Sequence, residues 1–245
     1  MTITTGPTLP SGTVDIPYKP VELKDDGGCG QAVFNIQNNN DIHFDIKDNT
    51  ILFVTPERSG YYSITAIATD ACNYHTSKLI HLTIRKPIRI TTDRLNDGLI
   101  NEPYKMSFNA TGGNEDYTWA ISDSIPIPDL RIDPNKGILH GIPLKTVYGP
   151  IVISVSDSEG RIDFRSYTIQ IVKPLTLTLN KFPIFVEGIN YSFPISTDGG
   201  VSPYTFGSVR QLPEHLNLNS KTGVISGVLE KKTASYRLQC KYFGV

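Results

Sequence analysis

Apolar and polar residues alternate in short runs along most of this 245-residue chain. The alternation has the two-residue period of β-strands, and no long stretch keeps the 3.6-residue period of a helix. Runs of roughly four to nine residues are separated by turn sequences such as Gly-Gly and Asp-Ser-Glu-Gly. Because 17 prolines and 20 glycines are also spread through the chain, the pattern predicts an all-β protein made of short strands.

This pattern of strands and turns occurs three times. The segments DDGGCGQAVFNI (25–36), ATGGNEDYTWAI (110–121) and TDGGVSPYTFGS (197–208) align on a Gly-Gly pair, which recurs at offsets of 85 and 87 residues. An aromatic residue follows each pair at the same offsets, namely Phe34, Trp119 and Phe206. A register kept over such distances indicates a tandem repeat, so we interpret the chain as three copies of one module.

The borders between the copies lie at two proline-containing junctions. Pro87 in IRKPIRI and Pro174 in IVKPLTL are 87 residues apart, and each follows a lysine. Proline cannot donate a hydrogen bond to a β-ladder, so it ends one sheet while the chain continues in an extended form. We predict module 1 at residues 1–86, module 2 at residues 87–173 and module 3 at residues 174–245, the last lacking its final strand.

The content of each copy indicates an immunoglobulin-like β-sandwich. About seven short strands in fewer than 100 residues, with an aromatic residue early in the third strand, are typical of that fold. No flexible Gly/Ser linker separates the copies. We therefore predict three tandem immunoglobulin-like β-sandwich modules forming a stiff rod, on the order of 100 Å long at roughly 3.3 Å per strand residue.

One set of residues in module 3 carries a family resemblance. The residues are Tyr191, Gly199, Gly200, Pro203, Tyr204, Leu212, Pro213, Leu216, Thr222, Gly223, Ile225, Ser226 and Gly227. Together they resemble the cadherin-like putative Ig family of tandem repeats, which occurs in bacterial adhesins, large surface proteins and phage structural proteins. Module 2 departs from the pattern at His140, where module 3 has Ser226, and module 1 keeps less of it. The resemblance implies the sandwich fold, but this fold hosts many functions.

Module 3 differs from the other copies at its end. The strand that ends module 3 has counterparts in modules 1 and 2, where one more strand follows it. This last strand is SKLIHLTIR (77–85) in module 1 and FRSYTIQIV (164–172) in module 2. Alternation places Tyr236, Leu238, Cys240 and Tyr242 on one face of that strand, and we treat these four residues as a candidate strand-docking edge. Either the chain is a shortened form or tolerates an open edge, or a strand from another copy or a different protein completes the module.

Two of the three cysteines are candidates for a disulfide. Cys29 lies in the B–C turn, which contains the Gly-Gly pair, and Cys72 lies in the F–G turn, which precedes the last strand. These turns are at the same end of an immunoglobulin-type sandwich. A bridge would close a loop of about 43 residues and contribute roughly 3–4 kcal/mol. The alternative is a pair of surface thiols in a reducing cytosol. Cys240 is expected to face the core.

The charge balance excludes several classes of partner. Lysine and arginine total 23 against 24 for aspartate and glutamate, without a basic cluster of the kind that binds nucleic acid. No apolar stretch is long enough for a membrane span. The N-terminal sequence MTITTGPTLP lacks the basic and apolar regions of a secretory signal. We therefore expect that the protein does not bind nucleic acid and has no membrane span.

No arrangement of residues predicts catalysis, a cofactor or a metal. The chain contains no HxxxH, CxxC or GxSxG motif, and GGCG (27–30) is a turn rather than a phosphate loop. Asp70, Glu102 and Asp157 lie near module ends, where related modules bind calcium, but the paired aspartate clusters of such sites are absent. We predict a non-enzyme without cofactors.

Three functions are compatible with these features. The first is a phage virion accessory protein, such as a capsid decoration, head fibre or tail-associated protein, which is made in the host cytoplasm and docks through module 3. The second is a fragment of a bacterial cell-surface adhesin. The third is a carbohydrate-binding repeat protein, in which Tyr61, Tyr62, Tyr74 or Tyr117 stacks on sugars of a host-surface glycan. The expected partners are other virion or surface proteins, or the chain itself by strand complementation.

Overall fold

The computed structural model describes residues 1–38, 44–53, 55–127, 129–178, 186, 188–208, 211–212, 214–228 and 240–242. Within these ranges the chain forms strands and no helix, which confirms the all-β prediction. No described segment is therefore a helix that could cross a membrane.

Module 1 builds two main sheets. Its strands are β1 (Thr2–Ile3), β2 (Gly12–Thr13), β3 (Val21–Glu22), β4 (Asp25–Asp26), β5 (Val33–Asn38), β6 (Phe44–Lys47), β7 (Thr50–Phe53), β8 (Gly60–Thr69) and β9 (His75–Arg85). The first sheet has the order β2-β9-β8-β5, in which β2 runs parallel to β9 and the other pairs are antiparallel. The second has the order β3-β7-β6, and β1 pairs with β4.

Module 2 repeats this topology strand for strand. Its strands are β10 (Arg89–Ile90), β11 (Gly98–Leu99), β12 (Tyr104–Ser107), β13 (Ala110–Thr111), β14 (Tyr117–Ser124), β15 (Leu130–Asp133), β16 (Ile138–Gly141), β17 (Val147–Asp157) and β18 (Ile162–Val172). The sheets are β11-β18-β17-β14 and β12-β16-β15, with β10 paired to β13. Again only the first pair of the larger sheet, β11 with β18, is parallel.

The described part of module 3 contains the corresponding smaller units. Its strands are β19 (Thr176–Thr178), β20 (Asn190–Pro194), β21 (Ser196–Asp198), β22 (Phe206–Ser208), β23 (Leu216–Leu218), β24 (Val224–Val228) and β25 (Cys240–Tyr242). They pair as β20-β24-β23, β19-β21 and β22-β25. The three-stranded sheet corresponds to β12-β16-β15 of module 2.

The strand register follows the repeat found in the sequence. Trp119 of β14 lies opposite Val155 of β17, and Phe206 of β22 lies opposite Tyr242 of β25, each 87 residues further along. In module 1 the equivalent pair is Phe34 with Ala68. Since each pair joins the same two strands of the sandwich, the aromatic residue after the Gly-Gly pair has the same structural position in all three modules.

The buried residues form three hydrophobic clusters, each drawn from one predicted module. They come from residues 3–84, 88–171 and 195–225. In β9, Ile80, Leu82 and Ile84 are buried while the residues between them are more exposed, as the two-residue period requires. In module 2, Trp119 is buried against Phe108, with ring centroids 5.9 Å apart. Alternation therefore supplies the apolar faces that the two sheets of a sandwich bury.

The Gly-Gly pair holds the start of each later module. The N–H of Gly113 donates to the carbonyl oxygen of Lys86 at 2.9 Å, and the N–H of Gly200 donates to that of Lys173 at 2.8 Å. The preceding Gly112 has φ +84, a conformation that favours glycine, and an added Cβ would meet the carbonyl oxygen of Pro87. The Gly-Gly pair and the Lys-Pro junction, found separately in the sequence, are thus one structural unit.

We expect Gly112→Ala to destabilise module 2 by about 2–3 kcal/mol, from the left-handed backbone together with the overlap at Pro87. Gly160→Ala is the matched control, because Gly160 has φ +83 but no atom within 4 Å of an added Cβ. This control should cost only about 1 kcal/mol. Chemical denaturation of both variants measures the difference, and equal losses would contradict a role for close packing at the junction.

Candidate functional site at the module ends

A buried carboxylate joins the B–C and F–G turns of module 2, at the end that faces module 1. The side chain of Asp157 is fully buried at the end of β17, where the F–G turn begins. Its oxygens accept the backbone N–H groups of Asn114 at 3.2 Å, Glu159 at 3.1 Å and Arg161 at 2.9 Å. Because Asn114 belongs to the B–C turn, Asp157 fixes that turn against the F–G turn.

Module 1 contains the same arrangement around Asp70, which ends the equivalent strand. Its carboxylate accepts N–H groups from Cys29 and Cys72, both at 3.0 Å, and from Tyr74 at 2.9 Å. The N–H of Cys29 is the main cause that holds the pKa of Asp70 below its ordinary value. The repeated aspartate is therefore a structural ligand of backbone N–H groups, rather than a carboxylate left open for calcium.

The predicted disulfide partners meet at this end of module 1. The structure joins Cys29 to Cys72 in a disulfide with a Cα–Cα distance of 5.7 Å. At the equivalent end of module 2, the side-chain amide of Asn114 donates to Ser158 Oγ at 2.7 Å. One module thus ties its B–C and F–G turns covalently, and the other does so with a hydrogen bond. Whether the bridge forms in solution stays a prediction, which the Discussion takes up.

Arg161 clamps module 2 to module 1. In its own module, Nη1 donates to Asp157 Oδ2 at 2.9 Å and to Glu159 Oε2 at 2.6 Å. Across the joint, Nε donates to Thr13 Oγ1 at 2.8 Å, and Nη2 donates to the carbonyl oxygen of Gly12 at 3.2 Å and to Ser11 Oγ. The guanidinium has five N–H donors in a fixed plane, and these five acceptors surround it on both sides of the joint.

The charges at this joint reinforce one another. Burial opposes ionisation of Glu159, but hydrogen bonds from Ser11 and Arg161 outweigh it and lower the pKa of that carboxyl. Burial likewise opposes the charge of Arg161, while Glu159 and Asp157 raise the pKa of its guanidinium. Arg85 of module 1 adds a cation, with its Nε 3.7 Å from Glu159 Oε2. The joint is therefore an ionised network in which Asp157 and Arg161 are largely buried, while about a third of the Glu159 and Arg85 side chains is exposed.

The other end of module 2 has different chemistry. Leu99 and Val172 occupy the positions that Thr13 and Arg85 have in module 1, since β11 pairs with β18 as β2 pairs with β9. Leu99 is exposed. The side chains that receive Arg161 thus belong to the first joint and are not a general feature of the repeat.

The candidate docking edge is partly described. Tyr236 and Leu238 lie outside the described residues, whereas Cys240 and Tyr242 are in β25, which pairs antiparallel with β22. In modules 1 and 2 the equivalent strands, β8 and β17, pair on their second side with β9 and β18. Among the described residues β25 has only the partner β22. A docked strand at this edge stays a proposal.

The remaining candidates from the sequence divide by exposure. Tyr61 and Tyr74 are exposed, and Tyr61 stacks on His81 with centroids 5.3 Å apart. Tyr62 and Tyr117 pack against the cores, as their repeat positions predict. Within the ranges that the structure describes, no group of three or more His, Cys, Asp or Glu side chains could hold a metal ion.

The sequence did not reveal the joint. Glu159 and Arg161 belong to the F–G turn, whereas Ser11 precedes β2 and Thr13 lies in it, and nothing in the spacing of these polar residues indicates that they meet. The available signal was that Arg161 replaces Tyr74 of module 1 in an otherwise repeated turn.

Comparison with known proteins supports the fold and the resemblance. Residues 174–242 match the model of the family described as "Putative Ig domain". No curated protein sequence matches the chain.

Solved structures give the same fold over almost the whole chain. The I-band fragment I67-I69 from titin covers 99% of this chain and 93% of its own length, at 13% identity and a TM-score of 0.51. An E-to-A mutated variant of the titin domains I67-I69 covers the same shares at 12% identity and a TM-score of 0.50. Domains 3–5 of Drosophila OTK cover 69% of this chain and 61% of their own length, at 14% identity and a TM-score of 0.46. The two titin structures, at nearly full coverage, confirm the predicted tandem of immunoglobulin-like modules.

Proposed function

Because the chain is a tandem of immunoglobulin-like modules and its third module matches the Putative Ig domain family, we propose that it is a non-catalytic structural and interaction protein of a phage particle. In this role it is a capsid decoration, a head fibre or a tail-associated protein on the virion surface, made in the host cytoplasm. Module 3 docks on the particle, and modules 1 and 2 project outward.

The joint at Arg161 is the observation that carries this proposal. A planar guanidinium that satisfies acceptors from two modules at once is compatible with only a narrow range of angles between them. A spacer needs this property, because a flexible joint would not hold its outer module at a fixed distance from the surface. The resemblance to repeats found in phage structural proteins and adhesins supports the same role.

The docking step is proposed at β25. The equivalent strands β8 and β17 are the central strands of their sheets, with partners on both sides. A strand supplied by a particle protein or by a second copy would give β25 the same surroundings and pair its backbone groups. Among the proposed partners, another copy of the chain is the one that a solution measurement tests directly.

Size-exclusion chromatography with light scattering and small-angle X-ray scattering tests both parts. The proposed rod gives a maximum dimension on the order of 100 Å per chain. We expect Arg161→Gln to broaden the distribution of interdomain distances while the modules stay folded. Arg165→Gln is the matched control, since the groups that Arg165 bonds among the described residues belong to module 2, namely Asp93 and the carbonyl oxygen of Ile90.

The outcomes separate the alternatives. If the wild-type protein scatters as a flexible chain that Arg161→Gln does not alter, the rod proposal is wrong. A stable dimer or trimer would support closure of module 3 by another copy. A strict monomer over a wide concentration range would exclude that closure and leave two alternatives, an open edge that the module tolerates or a different partner. An adhesin fragment would also be a monomer, but it would not bind to purified phage particles.

A further inference from the structure

Three basic residues form a row across one sheet of module 2. Lys105 of β12 lies opposite His140 of β16, and His140 lies opposite Arg131 of β15. Residues directly opposite each other on adjacent strands share a face of the sheet. The next row, Met106, Leu139 and Ile132, packs into the core, so the basic row lies on the outer face. All three basic residues are exposed.

The side chains of this row have no partner within the described part of the chain. None of the three forms an ion pair or a side-chain hydrogen bond with another described residue. The carboxylates two residues before and after Arg131 lie beside the row along the chain, and backbone N–H groups hold them in place. Asp129 Oδ2 accepts the N–H of Leu144 at 3.2 Å, and Asp133 Oδ1 accepts the N–H groups of residues 135 and 136.

The fold itself does not require a basic row at this place. In module 3 the same row consists of Ser192, Ser226 and Asn217, paired in the same way. The comparison with module 3 therefore separates the needs of the sandwich from a property that module 2 carries in addition. A row that the sandwich does not require, and whose exposed side chains have no partner among the described residues, is available to a ligand.

We propose that module 2 binds an acidic polysaccharide across this row. The inference rests on the proposed role as an interaction protein and names the class of partner that its projecting part contacts. Strands lie about 4.8 Å apart, so the row places three positive or polar groups over roughly 10 Å. Arg131 offers a planar fork to a carboxylate or sulfate, and Lys105 offers a compact charge.

The shape of the charge favours a linear polyanion over an acidic protein. The basic groups extend across the strands in a single row, and Asp129 and Asp133 flank it along β15. A folded acidic partner would cover about 800 Å² and would bring its own carboxylates against these two. A polysaccharide chain that runs across the strands contacts the row and avoids both.

The test uses the full chain with two polyanions, heparin for sulfate groups and polygalacturonate for carboxylate groups, and dextran as a neutral control. We expect binding of at least one polyanion at 0.01–0.1 M salt and none at 1 M, where the Debye length is only about 3 Å. The variant with Lys105→Gln, Arg131→Gln and His140→Ser should lose about tenfold in affinity. A control with Lys19→Gln and Lys47→Gln, which removes two exposed lysines of module 1, should keep the wild-type affinity.

Thermal melting distinguishes lost binding from misfolding. Because all three side chains are exposed and have no described side-chain partner, the row variant should melt within a few degrees of the wild-type temperature, which excludes misfolding as the cause of lost binding. Failure of both polyanions to bind at 0.01 M salt would overturn the proposal, as would equal losses in the row variant and the control. The scattering experiment on the rod does not depend on this outcome, so the two proposals can fail separately.

Discussion

Asp157→Ala is expected to lower the free energy of unfolding of module 2 by about 3–5 kcal/mol, the largest single-residue effect that we predict. The substitution leaves the largely buried Arg161 without its fully buried partner, with only Glu159 as a remaining carboxylate, and three backbone N–H groups lose their acceptor. Breaking a buried pair by removing one charge costs more than the pair itself contributes. Denaturant unfolding measures the loss, with the exposed Asp116→Ala in the same B–C turn as control.

The stabilisation that the Asp157 carboxylate contributes should depend on pH. Burial opposes the ionisation of Asp157, but the N–H groups and the guanidinium of Arg161 outweigh it and lower its pKa from the ordinary value of 3.8. The folded state then binds fewer protons than the unfolded state, so the stabilisation is complete above the unfolded-state pKa. It is lost as the pH falls through the lower, folded-state pKa. The gap in stability between wild type and Asp157→Ala should therefore narrow below about pH 4. A gap independent of pH would contradict this account.

Replacing both Cys29 and Cys72 with serine is expected to destabilise module 1 by about 3–4 kcal/mol. The bridge has a sequence separation of 43 residues, and a closed loop of that size restricts the unfolded chain. In module 2, Asn114→Ala removes the corresponding hydrogen bond and should cost only about 1 kcal/mol. Unfolding curves of these variants, with and without reductant, give the comparison.

Thiol counting decides whether the bridge exists in the native protein. Alkylation of the denatured, unreduced chain should label one cysteine, Cys240, and label three after reduction. Three labelled thiols without reductant would contradict the bridge. Cytosolic proteins keep their thiols reduced, so in a virion protein the bridge would form after release from the host cell.

The sequence predicted the fold because the relevant signals are local or periodic. Alternation shows which residues share a face, and the Gly-Gly pair indicates a turn that few other residues permit. The constant offset between the copies extends these predictions from one module to the next. In module 3, β22 pairs with β25 in the register that Trp119 and Val155 have in module 2. The position of Cys29 near Cys72 also followed, because the fold type places their two turns at one end.

The sequence by itself determined the all-β class, the number of modules and the residues that form each core, since these depend on patterns within one copy. Only the tertiary structure showed that Arg161 joins Thr13 and that Lys105, His140 and Arg131 form one row. The first contact depends on how two modules meet, and isolated polar residues such as these follow no periodic pattern that would predict it. The basic row depends on which strands are neighbours. Alternation predicts the face of the sheet on which a residue lies, but not which residue of the next strand lies beside it.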